Sequence, residues 1–132
     1  MKIVVCDDDE KFLKEFKTVL QERLTSLKIE AELTMYSTGK KLVEVCEQEE
    51  IDVLFLDIDM PEVDGFKIAE SVRKKELNCL IVFCSNYSDF VFKSFRYEPF
   101  SFLCKENYQE QLSDVMKRIY EKWNSRKKEF TY

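Results

Sequence analysis

Apolar residues fall along this chain in short unbroken runs separated by longer stretches of helical spacing. The first run, Ile3-Val4-Val5-Cys6, breaks on four acidic residues, Asp7-Asp8-Asp9-Glu10. Phe12, Phe16, Val19, Leu20, Leu24 and Leu27 then recur every three or four positions, which predicts a helix over 10–27. Residues 30–37 alternate enough for a second strand at a sheet edge, and 38–48 form a short helix with Leu42, Val43 and Cys46 inward. Val53-Leu54-Phe55-Leu56 runs straight into Asp57, and an apolar run of this kind predicts a strand over 51–57 buried on both faces. Phe66, Ala69 and Val72 mark a helix over 65–75, and Cys79-Leu80-Ile81-Val82-Phe83 a fourth strand ending at Ser85. A short aromatic helix over 87–95 and a fifth strand over 100–104, ending at Lys105, come next. Leu112, Val115, Met116, Ile119 and Trp123 predict a last helix over 107–125. Five β-α units in strict alternation predict one domain built on a parallel sheet with helices on both faces.

Asp57 holds the rest together. Pro61 cannot continue a ladder and Gly65 precedes the next amphipathic stretch, so 58–64 reads as a loop. Asp57 is too far upstream to cap the following helix, whereas Asp64 is well placed for it. The carboxyl end of a central parallel strand is where open α/β sheets place ligand sites. The other strand ends carry Asp7 and Asp8, Ser85, and Lys105, with Asp59 just beyond Asp57. Two charges 4 Å apart cost about 4 kcal/mol at an effective dielectric near 20, so clustered carboxylates need a cation. Lys105 is one; a hard divalent ion with oxygen ligands is the other, and a donor set without histidine or a thiolate cluster favours Mg²⁺ over Zn²⁺. A carboxylate nucleophile, a metal, a lysine and a hydroxyl are the parts for phosphoryl transfer.

Composition narrows this further. The 132 residues are 45% hydrophobic, enough for a real core in one domain. A net charge of −5 argues against nucleic-acid binding by this domain as a whole. Without histidine, no residue of this chain can serve as a histidine base, ligand or phospho-carrier. Five cysteines fit no zinc spacing and come without a signal peptide or an apolar run of transmembrane length, which predicts free thiols in a reducing cytoplasm and no membrane contact.

Val5-Cys6-Asp7-Asp8, Leu56-Asp57-Ile58-Asp59-Met60-Pro61 with Asp64-Gly65, Val82-Phe83-Cys84-Ser85 and Phe102-Leu103-Cys104-Lys105 together resemble the receiver domain of two-component response regulators. The resemblance covers about residues 1–123 and implies a flavodoxin-like five-stranded parallel sheet of order 2-1-3-4-5. It implies Asp57 as phosphoacceptor, Asp7 and Asp8 as the acidic pocket, and Mg²⁺ held by Asp8, Asp57 and the backbone carbonyl of Asp59. It also implies Ser85 as the switch hydroxyl, Lys105 as the phosphoryl's partner, and Phe102 in the place of the switch aromatic. A sensor histidine kinase would supply the phosphoryl group. The stretch 81–105, with Tyr87, Phe90, Val91, Phe95, Pro99 and Phe100, is similar to the subgroup with a LytTR-type DNA-binding output domain. On this reading residues 1–124 are the receiver, and 125–132 end a helix or begin a linker to an output domain, the part that would contact DNA.

Two departures stand out. The family usually has a cis-linked proline after the lysine; here Glu106 follows Lys105, and a cis bond to a non-proline costs about 3–4 kcal/mol, which predicts a trans bond and a shifted loop. Phe102 lacks a hydroxyl, so it signals only by burying or exposing its ring. Core packing accounts for most of Phe90, Phe92, Phe95, Tyr97, Phe100 and Phe102, but one short helix and strand cannot bury them all, which predicts that the remainder form an exposed patch over 87–102 for a homodimer or an output domain. Two other readings stand beside this one. Phe55-Leu56-Asp57-Ile58-Asp59 also resembles the motif of haloacid-dehalogenase-type aspartyl phosphatases, and Glu106 suits a degenerate receiver that acts only as an interaction module.

Overall fold

The computed structural model describes residues 1–60, 63–75, 78–86 and 94–129. Five strands, β1 (Lys2–Cys6), β2 (Glu32–Tyr36), β3 (Val53–Asp57), β4 (Leu80–Ser85) and β5 (Ser101–Cys104), form one parallel sheet of order β2-β1-β3-β4-β5. Helices α1 (Glu10–Ser26), α2 (Gly39–Gln48), α3 (Gly65–Lys74) and α4 (Tyr108–Glu129) connect or follow them, and a 3-10 turn spans Phe95–Tyr97. The flavodoxin-like order expected above is the one found. No helix among the described residues is long and apolar enough to cross a membrane.

The apolar runs are explained by a helical layer on each side of the sheet. Successive side chains of a strand point to opposite faces. Ile3, Val5, Val53, Phe55, Val82 and Leu103 pack with Phe16 and Leu20 of α1 and with Leu112 and Met116 of α4. Val4, Leu54, Leu56, Ile81 and Phe83 pack with Leu42 of α2 and with Ile68 and Val72 of α3. Both clusters are fully buried, so each central strand must be apolar at every position rather than at alternate ones. Among the described residues β2 pairs with β1 alone, and its bounds are the five residues paired there; the flanking residues of the expected 30–37 strand stay outside the ladder.

Capping also follows the sequence. Asp9 caps α1 through bonds from Lys11 N–H and Phe12 N–H, and Asp64 caps α3 through a bond from Lys67 N–H. α1 ends with Lys28 in the left-handed region (φ 56°), where Ile29 N–H donates to Leu24 O and Lys28 N–H to Thr25 O. Apolar spacing predicts an end to α4 at 125, but the helix continues through Glu129. Arg126 Nη1 donates to Asn78 O at 2.6 Å, which ties the polar end of the helix to the start of β4. The aromatic helix expected over 87–95 falls, for 87–93, outside the described residues.

Candidate functional site

Three strands deliver the site. Alternation along β1 sends Asp7 to the face of Ile3 and Val5, and along β3 sends Asp57 to the face of Val53 and Phe55. Lys105 follows Leu103 on the same side. Asp7 and Asp57 are 1% and 4% exposed, which is unusual for carboxylates unless they are partnered. Lys105 supplies the partner: its Nζ lies 2.6 Å from Asp7 Oδ2 and 3.5 Å from Asp57 Oδ1. The Asp7 contact is an ion pair without aligned hydrogen-bond geometry, so this buried oxygen has no directed donor among the described residues. Asp7 Oδ1 does accept the N–H of Asp9 at 2.9 Å, and the Asp7 N–H donates to Tyr36 O at 3.1 Å.

Asp8 is exposed, yet carboxylate oxygens of Asp7, Asp8 and Asp57 all lie within 4.8 Å of one another. Such an oxygen-only cluster can hold a hard divalent cation. In the electrostatics, burial and neighbouring carboxylates outweigh the single ammonium. Burial, then Asp7, and to a smaller extent Asp8 raise the Asp57 carboxyl from its ordinary 3.8 to about 7, with Lys105 opposing. Burial also raises the Asp7 carboxyl, against the pull of Lys105. Burial disfavours the Lys105 charge, but Asp7 and Asp57 outweigh it and hold its pKa above the ordinary value.

The remaining predicted residues take separate places. Asp59 is exposed two positions beyond Asp57. Ser85 is buried at the end of β4, one residue past Cys84, which stands opposite Asp57 in the ladder; its carbonyl accepts the Lys105 N–H at 3.1 Å. Phe102 lies beside Phe83 in the ladder, half-buried against the α2–α3 cluster that also includes Phe66 and Tyr97. The Lys105–Glu106 peptide is trans, as expected without proline. Phe95 is 62% exposed, while the Tyr87, Phe90, Val91 and Phe92 part of the expected aromatic patch, like Pro61 and the end of the tail at 130–132, lies outside the described residues.

The cysteines are free, and burial lifts the thiols of Cys6 and Cys79 to about 12, which disfavours the reactive thiolate. Two contributors were not read from the sequence as parts of the site. Gly65 sits against the Asp57 backbone, where a Cβ would come 2.2 Å from Asp57 O, and its N–H donates to Ile58 O at 2.9 Å. The ring of Phe12 lies under Lys105, with Nζ 4.6 Å from its centroid. The Asp-Gly pair after the strand was a visible sign of the first; the second left no sign in the spacing.

The family model for the response regulator receiver domain matches residues 3–117. Transcriptional regulatory protein YpdB of Escherichia coli K12 is 20% identical over 93% of this chain and 49% of its own length. Sensory transduction protein LytT of Bacillus subtilis is 24% identical over 94% of this chain and 49% of its own length. The chain thus spans about half the length of these curated relatives. The response regulatory domain of protein mrkE from Klebsiella pneumoniae superposes with a TM-score of 0.85 at 18% identity, covering 95% of this chain and 99% of that one. A parallel sheet of order 2-1-3-4-5 with buried aspartates and a lysine at its carboxyl rim, matched by the family model over most of its length, makes this chain a member of the response regulator receiver domain family.

Proposed function

We propose that Asp57 accepts a phosphoryl group from the phosphohistidine of a partner sensor histidine kinase. One observation carries the reading: Asp57 is buried at the end of β3 with Asp7 and Asp8 within 4.8 Å and Lys105 at 3.5 Å. An Asp57 carboxylate oxygen attacks phosphorus, the phosphorus–nitrogen bond breaks, and the imidazole leaves with the electron pair. Asp57 must be ionised to attack, so added positive charge beside it serves the reaction directly. The donor set fits Mg²⁺, which Asp8, Asp57 and the Asp59 backbone carbonyl would hold, with Asp7 completing the acidic pocket. Bound there, the ion neutralises charge on the phosphoryl oxygens.

Once formed, the acyl phosphate adds negative charge and acceptor oxygens at the rim. Lys105 moves from the carboxylates toward a phosphoryl oxygen, the Ser85 hydroxyl donates to another, and Phe102 turns further inward. The chain is then a switch rather than an enzyme, with slow loss of the phosphoryl to water. Residues 1–124 form the switch, and 125–132 lead toward a C-terminal DNA-binding domain of the LytTR type, a reading supported by the regulator names and the half-length coverage of the relatives. Within the expected patch, the described residues 94–102, with Phe95 exposed, serve a homodimer or that output domain. All of this takes place in the cytoplasm.

Intact-mass measurement after treatment with acetyl phosphate and Mg²⁺ tests the reading. Wild type gains one phosphoryl group, and Asp57→Asn or chelated wild type gains none; equal labelling of Asp57→Asn removes Asp57 from the role. Multiple turnover on a small phosphate ester would instead point to the haloacid-dehalogenase-type alternative, and failure of wild type to label under every condition to an interaction module.

A further inference from the structure

We propose that Phe12 is a positioning residue for Lys105: its ring is the platform on which the ammonium rests between Asp7 and Asp57. The Lys105 Nζ is 4.6 Å from the ring centroid, within the range of a cation–π contact. The same nitrogen is 2.6 Å from Asp7 and 3.5 Å from Asp57, and the side chain is only 13% exposed, so water screens the contact weakly.

The ring is itself held firmly. Tyr108 meets it edge-on at 5.4 Å and Phe16 lies 5.5 Å away, tilted. Tyr108 is fixed in turn by a 2.8 Å bond from its hydroxyl to Glu15 Oε1. The backbone links the ring to the pocket as well. Asp7 Oδ1 accepts the Asp9 N–H, and Asp9 Oδ1 accepts the Phe12 N–H at 3.2 Å, so the segment that places the Asp7 carboxylate also sets the Phe12 ring.

The consequence rests on the phosphoacceptor reading above. A divalent cation among the carboxylates repels the ammonium that neutralises them in its absence. A side chain held only by those carboxylates would then swing out to solvent. The ring face offers an attraction that the cation does not compete for, and it keeps Lys105 beside Asp57 for the arriving phosphoryl oxygen. In this chain, where Glu106 rather than proline follows the lysine, that hold comes from another element of the fold.

Phe12→Leu and Phe12→Met keep apolar bulk without a ring, and Phe12→Tyr keeps the ring. Two readouts are taken on the full chain: the ring-current displacement of the Lys105 ε-methylene NMR signals, with and without Mg²⁺, and the rate of Asp57 labelling by acetyl phosphate. The expected result is loss of the displacement in the Leu and Met variants and its retention in the Tyr variant. Labelling falls about three- to tenfold in the first two, as expected for losing one partly shielded cation–π contact, and stays within about twofold of wild type in the third. In a Lys105→Ala background Phe12→Leu has no further effect on labelling. An unchanged Lys105 signal in Phe12→Leu and Phe12→Met overturns the proposal, as does an equal drop in labelling with and without Lys105. If wild type is not labelled at all, the phosphoacceptor reading fails, while the NMR signals still decide whether Phe12 holds Lys105.

Discussion

Replacing Asp57 by asparagine should stabilise the metal-free protein. Asp57 is 4% exposed, and burial, then Asp7, raise its carboxyl from 3.8 to about 7. At about 1.4 kcal/mol per pH unit, ionising it in the folded state costs about 4 kcal/mol above pH 7. The sign follows from proton binding. Below 3.8 the carboxyl is protonated in folded and unfolded chains alike; between 3.8 and about 7 the unfolded chain has released its proton and the folded one has not. The folded state binds more protons there, so this group lowers stability as pH rises through that window, and its contribution is flat above it. Asparagine has the same shape and no charge, but its buried amide needs partners, which removes about half of the gain. The expected net stabilisation is about 2 kcal/mol at pH 8, or about 4–8 °C in Tm for a domain of this size. Thermal unfolding of both proteins from pH 4 to pH 8 in chelator reads it: the Asn variant gains its advantage across the window and keeps it above. Saturating Mg²⁺ should then shrink or reverse the order, because only wild type retains the full carboxylate set and ligand binding stabilises the state that binds it. A variant less stable than wild type at pH 8 in chelator, or a difference that does not depend on pH, would refute the electrostatic account of the pocket.

Gly65→Ala should cost at least about 2 kcal/mol and abolish Asp57 labelling, because the new Cβ meets the backbone at Asp57 O (2.2 Å) and Ile58 Cα (2.8 Å) rather than a side chain that can move aside; urea unfolding with intact-mass labelling checks both. Lys28→Gly should raise stability by about 0.5–1 kcal/mol, since φ 56° at the end of α1 is strained for lysine and free for glycine; the urea midpoint should rise with an unchanged slope. Arg73→Ala should cost about 2 kcal/mol, because its guanidinium donates to Tyr97 O, Cys79 O and Glu98 O at 2.7, 3.0 and 2.8 Å; lysine cannot span all three, so Arg73→Lys should recover little of the lost Tm.

What the sequence discloses and what it withholds divide along a physical line. Periodicity reports which face of an element is buried, and here it also aims the site. Ile3, Val5 and Asp7, then Val53, Phe55 and Asp57, then Leu103 and Lys105 are each two residues apart, so a reader who places the strands side by side already has the three charges on one face. Element ends are less visible because they depend on partners. The expected strand over 30–37 shrinks to what β1 can pair, and α4 outruns its apolar stripe because Arg126 finds a carbonyl at the start of β4. Phe12 is the limiting case. Along the chain it is one more apolar position in the stripe of α1, indistinguishable from Phe16, which packs wholly in the core. Only the fold reveals that the ring one turn earlier stands at the rim, where the strand ends bring Lys105 over it. A stripe that runs from core to rim therefore changes chemistry along its length while its spacing stays the same, and the residue of such a stripe nearest a strand-end charge is where a functional aromatic can pass for packing.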